Sequence, residues 1–202
     1  MNIGAGRVVY QDLVKINNAV KDDSISQNTE LNKAIDYAKS HQKPIHFIGL
    51  VSEGGIHSHQ NHLVKLCKIA NDKGVEKIFI HAFTDGRDTD PNSGKKFIAK
   101  LLIDIKDTRA KVASITGRYY AMDRDLRWER IETAYNALVH GYGNQSKDLI
   151  ASIEESYQSG ITDEFIKPII AIDKTTKPIS KIKEGDVVIC FNYRTDRCRE
   201  IT

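Results

Sequence analysis

The segment His81-Ala-Phe-Thr-Asp-Gly-Arg-Asp-Thr-Asp-Pro-Asn-Ser-Gly94 crowds Asp85, Asp88 and Asp90 around Arg87, directly after the apolar run Val75-Glu-Lys-Ile-Phe-Ile80. A carboxylate beside a guanidinium suits one chemistry: the arginine clamps an anionic group while the carboxylate takes a proton from a nearby hydroxyl. Gly86 between Asp85 and Arg87 implies a tight turn. Aspartate also caps turns and helix starts. Asp88 is therefore assigned to proton transfer, and Asp85, Asp90 and Pro91 to shaping the turn and the following helix.

Three further polar clusters have the same relation to an apolar run: Ser52-Glu-Gly-Gly-Ile-His-Ser-His59, Thr116-Gly-Arg-Tyr-Tyr-Ala-Met-Asp-Arg124 and Asn192-Tyr-Arg-Thr-Asp-Arg197. Between them they supply His57 behind a Gly54-Gly55 pair, and Arg118, Arg124, Arg194 and Arg197 to join Arg87. The planar fork of arginine gives two parallel hydrogen bonds to phosphate or carboxylate, so several forks imply more than one anionic group. Any one of these arginines alone reads more simply as a solvated surface charge. Their recurrence after apolar runs argues otherwise. Arg194 and Arg197, three apart at the start of a predicted helical turn, would share a face whose N-terminal end adds its own attraction for anions. Asp196 would orient one of them or face water.

The elements that must position these clusters follow from periodicity. Tyr10–Val20 and Thr29–His41 carry apolar residues at helical spacing, with Thr29 as N-cap. Pro44–Val51 then His62–Asn71, Lys77–Phe83 then Ser93–Lys106, and Lys111–Thr116 then Arg127–His140 are three successive strand and helix units. A further helix over Asp148–Gln158 and strands over Ile166–Ile172 and Asp186–Phe191 complete the pattern, with Ser146 and Asp173–Lys183 as surface connections. The expected fold is α/β: a three-layer, largely parallel open sheet with helices on both faces, and no domain boundary inside the chain. In such sheets ligands sit outside the carboxyl ends of the strands. If the strands are parallel, the four clusters meet on one edge as an oxyanion pocket.

The same residues admit other readings. Asp88-x-Asp90-x-Asn92 begins like a calcium loop, but glycine falls at its seventh position and Ala99 at its twelfth. Gly86 to Lys96 lacks phosphate-loop spacing, and Gly4-Ala-Gly6 and Gly141-Tyr-Gly143 are isolated dinucleotide fragments. The strongest competitor is His57-Ser-His59-Gln-Asn-His62, which resembles the zinc motif of metallo-β-lactamase-like hydrolases with Asn61 in place of aspartate. A zinc-dependent hydrolase using His57, His59 and His62, with later ligands from His81 or His140, is the alternative function.

With 202 residues, 40% hydrophobic and 28% charged, the composition is that of a globular chain with one dominant core. A net charge of +3 with scattered lysines offers no basic stripe for nucleic acid. No apolar run approaches the ~20 residues that span a bilayer. The three cysteines, Cys67, Cys190 and Cys198, are odd in number and suit a reducing compartment, with the cytoplasm as default.

Taken in order, Gly-Gly-Ile-His-Ser-His, Asp-Gly-Arg-Asp-Thr, Gly-Arg-Tyr-Tyr-Ala-Met-Asp-Arg and Phe-Asn-Tyr-Arg-Thr-Asp-Arg resemble the loops of the cofactor-independent (2,3-bisphosphoglycerate-independent) phosphoglycerate mutases, in their substrate-binding or phosphotransferase domain. Met1 to Gln11 also resembles the segment that follows the family's nucleophile motif, which is itself missing. The resemblance implies a two-domain enzyme of glycolysis and gluconeogenesis that interconverts 3-phosphoglycerate and 2-phosphoglycerate through a phosphoserine, with two divalent metals, usually manganese, in an alkaline-phosphatase-like domain outside this chain. It implies substrate contacts at His57, Arg87, Asp88, Arg118, Arg124, Arg194 and Arg197, and Asp88 as general acid/base. No metal or other cofactor is expected in residues 1–202, which would end near the two interdomain hinges. The partners are then 2- and 3-phosphoglycerate and the phosphatase-like domain, and the chain alone is expected to be inactive.

Overall fold

The computed structural model describes residues 11–202. The first ten residues, which include Gly4-Ala-Gly6, the start of the Tyr10–Val20 helix and most of the segment adjoining the nucleophile motif, lie outside the described residues.

Helices α1 (Asp12–Lys21) and α2 (Thr29–Ser40) precede β1 (Ile45–Leu50), and α3 (Gln60–Asp72) follows it. Then come β2 (Ile78–Thr84), α4 (Gly94–Asp104), β3 (Ala110–Gly117), the single turn α5 (Arg118–Ala121) and α6 (Trp128–Val139). The chain continues through β4 (Asn144–Ser146), α7 (Leu149–Gln158), β5 (Ile169–Ala171) and β6 (Val187–Cys190). The expected N-cap Thr29 is the first helical residue of α2; the cap is Asn28, whose side chain accepts the Leu31 N–H.

The six strands form one sheet in the order β4-β5-β3-β2-β1-β6. β1 runs parallel to β2 and β6, and β2 parallel to β3, so the four strands that precede the polar clusters are spatial neighbours pointing the same way. β5 departs from the expected parallel order by running antiparallel to β3. Ser146, expected in a surface connection, belongs to the short strand β4, which pairs with β5.

Alternation along the strands builds a core on each face, which gives the three layers. Ile45 and Phe47 of β1 and Ile78, Ile80 and Ala82 of β2 pack with α2, α3, α4 and α7. Ile48, Leu50 and Phe83 turn the other way, against α5, α6 and the C-terminal residues Cys198 and Ile201. Among the described residues no helix is long and apolar enough to cross a membrane.

Candidate functional site at the carboxyl ends of four strands

The loop after β2 is organised by Asp85, which is 1% exposed. Its Oδ1 accepts the backbone N–H groups of Arg87 and Asp88 at 3.3 and 3.0 Å, closing the turn that Gly86 enters with φ +67°. Its Oδ2 accepts the Ser52 hydroxyl at 2.8 Å, which ties in the loop after β1. The turn-shaping role expected for Asp85 is therefore present, and the residue does more: its Oδ1 also receives Arg118 Nη1 at 2.6 Å. Burial alone would push this carboxyl up, but the Asp88 N–H, the Arg118 guanidinium and the Ser52 hydroxyl outweigh it and hold it below its usual value. Asp90 accepts the Asn92 N–H at 2.9 Å and so forms a local turn; it does not cap α4, whose first N–H, on Gly94, goes to Asp163.

Arg118 is the hub. It is 4% exposed. Nη1 bridges Asp85 and Asp88, both at 2.6 Å, and Nη2 meets His57 Nε2 at 3.0 Å. A guanidinium only donates, so His57 Nε2 is the acceptor and the imidazole is neutral with its proton on Nδ1. Burial, then the Arg118 charge, pulls the His57 pKa down, in keeping with that form. Asp88 Oδ2 lies 3.4 Å from the same Nε2, with Arg118 bonded to both groups. His57 Nδ1 is buried without a hydrogen-bond partner among the described residues.

The other arginines surround this hub. Arg87 reaches Glu164 Oε1 at 3.3 Å. Arg124 and Arg194 both bind Asp196, Arg194 by two bonds of 2.8 and 3.0 Å and Arg124 at 3.1 Å. Asp196 therefore orients these arginines. Arg197 is lowered by burial and then by the positive charges of Arg124, Arg118 and Arg87. A cavity of about 350 Å³ opens here, lined by Arg87, Arg118 and Arg197 with Tyr119, Arg130 and Phe165. The turn carrying Arg194 and Arg197 is a three-residue 3-10 segment, Thr195–Arg197, so the expected helix N-terminus is too short to add a helix dipole. What places the turn is backbone pairing: the Tyr193 N–H donates to the His57 carbonyl at 2.9 Å, and the Asn192 side chain accepts the Leu50 N–H at 3.0 Å.

All seven expected residues thus come from four adjacent strand ends. His57, Asp88 and Arg118 touch directly, Arg124 and Arg194 share Asp196, and Arg87 and Arg197 line the cavity with Arg118. Sequence reasoning missed Glu164, Tyr119 and Arg130, whose guanidinium stacks 3.8 Å from the Tyr119 ring centroid. Tyr119 lies inside the Thr116–Arg124 cluster, whereas Glu164 carries no local signal.

The histidines of the zinc reading turn to different partners. His57 faces Arg118, His59 accepts the Asn61 N–H, and His62 Nε2 meets Asn17 Oδ1 at 2.7 Å. His81 is bonded between His46 and Ser114 inside the sheet. Among the described residues no three His, Cys, Asp or Glu side chains are grouped to hold a metal ion. His62 is pulled down to about 4 by burial, then by His59. Between roughly pH 6.5 and 4 the unfolded chain binds a proton that the folded chain refuses, so stability is full above that window and falls as pH drops through it. His62→Gln, which keeps a donor for Asn17, is expected to reduce the stability lost between pH 7 and pH 5 by about 2 kcal/mol, read from urea unfolding at both values.

Comparison with known proteins shows the family and the fold. A family profile described as "BPG-independent PGAM N-terminus" matches residues 16–202. A 2,3-bisphosphoglycerate-independent phosphoglycerate mutase of Parabacteroides distasonis is 56% identical over 202 residues, which is 100% of this chain and 40% of that protein. The mutase of the same name from Flavobacterium psychrophilum is 58% identical over the same coverage. A crystal structure of Leishmania mexicana phosphoglycerate mutase superposes with a TM-score of 0.89 at 30% identity, covering 97% of this chain and 37% of that one. The chain spans about two fifths of the length of the curated relatives it matches. Loops read as phosphoglycerate mutase motifs, a fold shared with a solved mutase and a profile match over nearly the whole length converge: this chain belongs to the BPG-independent phosphoglycerate mutase N-terminus family.

Proposed function

We propose that residues 1–202 are the substrate-binding (phosphotransferase) domain of a two-domain cytoplasmic enzyme of glycolysis, which interconverts 3-phosphoglycerate and 2-phosphoglycerate. The observation that carries this reading is the convergence of like charges: Arg87, Arg118 and Arg197 line one cavity, and the pKa of Arg197 is lowered by burial and then by the repulsion of Arg124, Arg118 and Arg87. A ligand with two separated anionic groups would relieve that repulsion, and phosphoglycerate has a phosphate and a carboxylate.

The glycerate would sit against the hub of Arg118, His57 and Asp88, with the outer forks of Arg87, Arg124, Arg194 and Arg197 on its anionic groups. When the phosphoryl group passes from one glycerate oxygen to the serine, Asp88 would give that oxygen a proton; when the other glycerate hydroxyl attacks the phosphoserine and the serine oxygen leaves, Asp88 would take that hydroxyl's proton and be restored. The arginines would stabilise the negative charge that spreads over the phosphoryl oxygens. His57 Nδ1–H, which has no partner among the described residues, would be the group free to donate to the bound glycerate, because Nε2 is committed to Arg118. By resemblance to the family, the phosphoserine and two divalent metals, manganese among them, would belong to a phosphatase-like domain, which would supply the nucleophile and close over the glycerate.

This division of labour predicts no mutase turnover by the 202-residue chain and measurable turnover by the longer protein that carries it, in a coupled assay from 3-phosphoglycerate. Turnover by the short chain alone, or none by the longer protein, would sink the proposal.

A further inference from the structure

Asp163, fully buried, makes contacts out of proportion to its place in a three-residue 3-10 turn, Asp163–Phe165. Its Oδ2 accepts the Gly94 N–H at 2.6 Å and its Oδ1 accepts the Tyr157 hydroxyl. Its own carbonyl accepts the Thr84 hydroxyl at 2.8 Å, and its N–H donates to the Pro91 carbonyl at 2.9 Å. Thr84 and Gly94 are the two ends of the segment that carries Arg87 and Asp88, so one residue closes that segment on itself.

The fit is close. A Cβ added at Gly86 would stand 2.8 Å from the Glu164 nitrogen and 2.9 Å from Asp163 Cβ. One added at Gly94 would stand 2.5 Å from Asp163 Oδ1. The same turn reaches the neighbouring loop as well. The Gly117 N–H, immediately before Arg118, donates to the Ile166 carbonyl at 2.7 Å, and Glu164 takes Arg87.

We infer that Asp163 is a positioning residue for phosphoglycerate binding: it braces the Thr84–Gly94 segment and so sets Arg87 and Asp88 against Arg118, without itself touching the ligand. The inference rests on the binding role proposed above. Catalytic groups need this kind of support, because a small displacement of a clamp costs far more than its own hydrogen bonds.

Amide hydrogen exchange on Asp163→Ala, Asp163→Asn and the parent chain tests the brace without any ligand. Asp163→Ala is expected to speed exchange at Arg87, Asp88 and Gly94 by about tenfold or more relative to Phe47 and Ile48 of β1. Asp163→Asn, which keeps an acceptor for Gly94, should restore most of that protection. 3-Phosphoglycerate affinity, by calorimetry, should fall by about tenfold in Asp163→Ala and recover in Asp163→Asn. If Asp163→Ala does not fold, Thr84→Val, which keeps the shape but removes the hydroxyl that donates to the Asp163 carbonyl, should give the same local pattern. Exchange that rises equally in β1 and the loop, or not at all, overturns the inference. A parent chain that binds no 3-phosphoglycerate defeats the binding role instead, while the exchange comparison still judges the brace.

Discussion

In the proposed two-domain enzyme, Asp88→Asn is expected to lower the turnover number by about 10²–10⁴-fold while changing 3-phosphoglycerate binding by less than about tenfold. The asparagine keeps the shape and a carbonyl oxygen for Arg118, whose Nη1 now reaches Asp88 Oδ2 at 2.6 Å. It cannot take up a hydroxyl proton. A loss confined to the Michaelis constant would instead assign Asp88 to binding alone, and the proton would have to travel through another group. Initial rates over a range of 3-phosphoglycerate concentrations separate the two.

Arg118→Ala is expected to destabilise the chain by about 3–5 kcal/mol, read from denaturant unfolding. The cause is what stays behind: Asp85, 1% exposed, loses its cationic partner while its Ser52 and backbone bonds hold it in place. His57 Nε2 also loses its donor. Arg118→Lys keeps the charge but cannot span Asp85, Asp88 and His57 from one planar fork, so it should recover part of the stability and little of the ligand affinity. An Arg118→Ala chain as stable as its parent would mean that the buried carboxylate is relieved by some other route.

The long apolar runs made the centre of the fold legible. Ile45–Leu50, Ile78–Thr84 and Ala110–Gly117 are each long enough to show as strands, and once they are parallel the loops behind them must share an edge. Direction and short elements were not legible. β5 has three residues and its antiparallel run depends on the path through α7, while β4, Asn-Gln-Ser, carries no apolar signal at all. At the site, the charged residues inside the four motifs were visible from their type and position. Asp163 and Glu164 were not, because they meet Gly86, Gly94 and Arg87 only through tertiary contact, some seventy residues along the chain. Asp85 shows the limit from the other side: its turn-forming role is local and was readable, whereas its bond to Arg118 spans two strands.

The pocket for phosphoglycerate proposed at these strand ends can be probed by calorimetric titration of 3-phosphoglycerate into the 202-residue chain. Such a pocket should give saturable one-site binding that weakens as salt is raised, is much weaker for unphosphorylated glycerate, and is abolished by Arg194→Ala combined with Arg197→Ala. Absence of saturable binding, or binding that does not distinguish phosphoglycerate from glycerate, would contradict it.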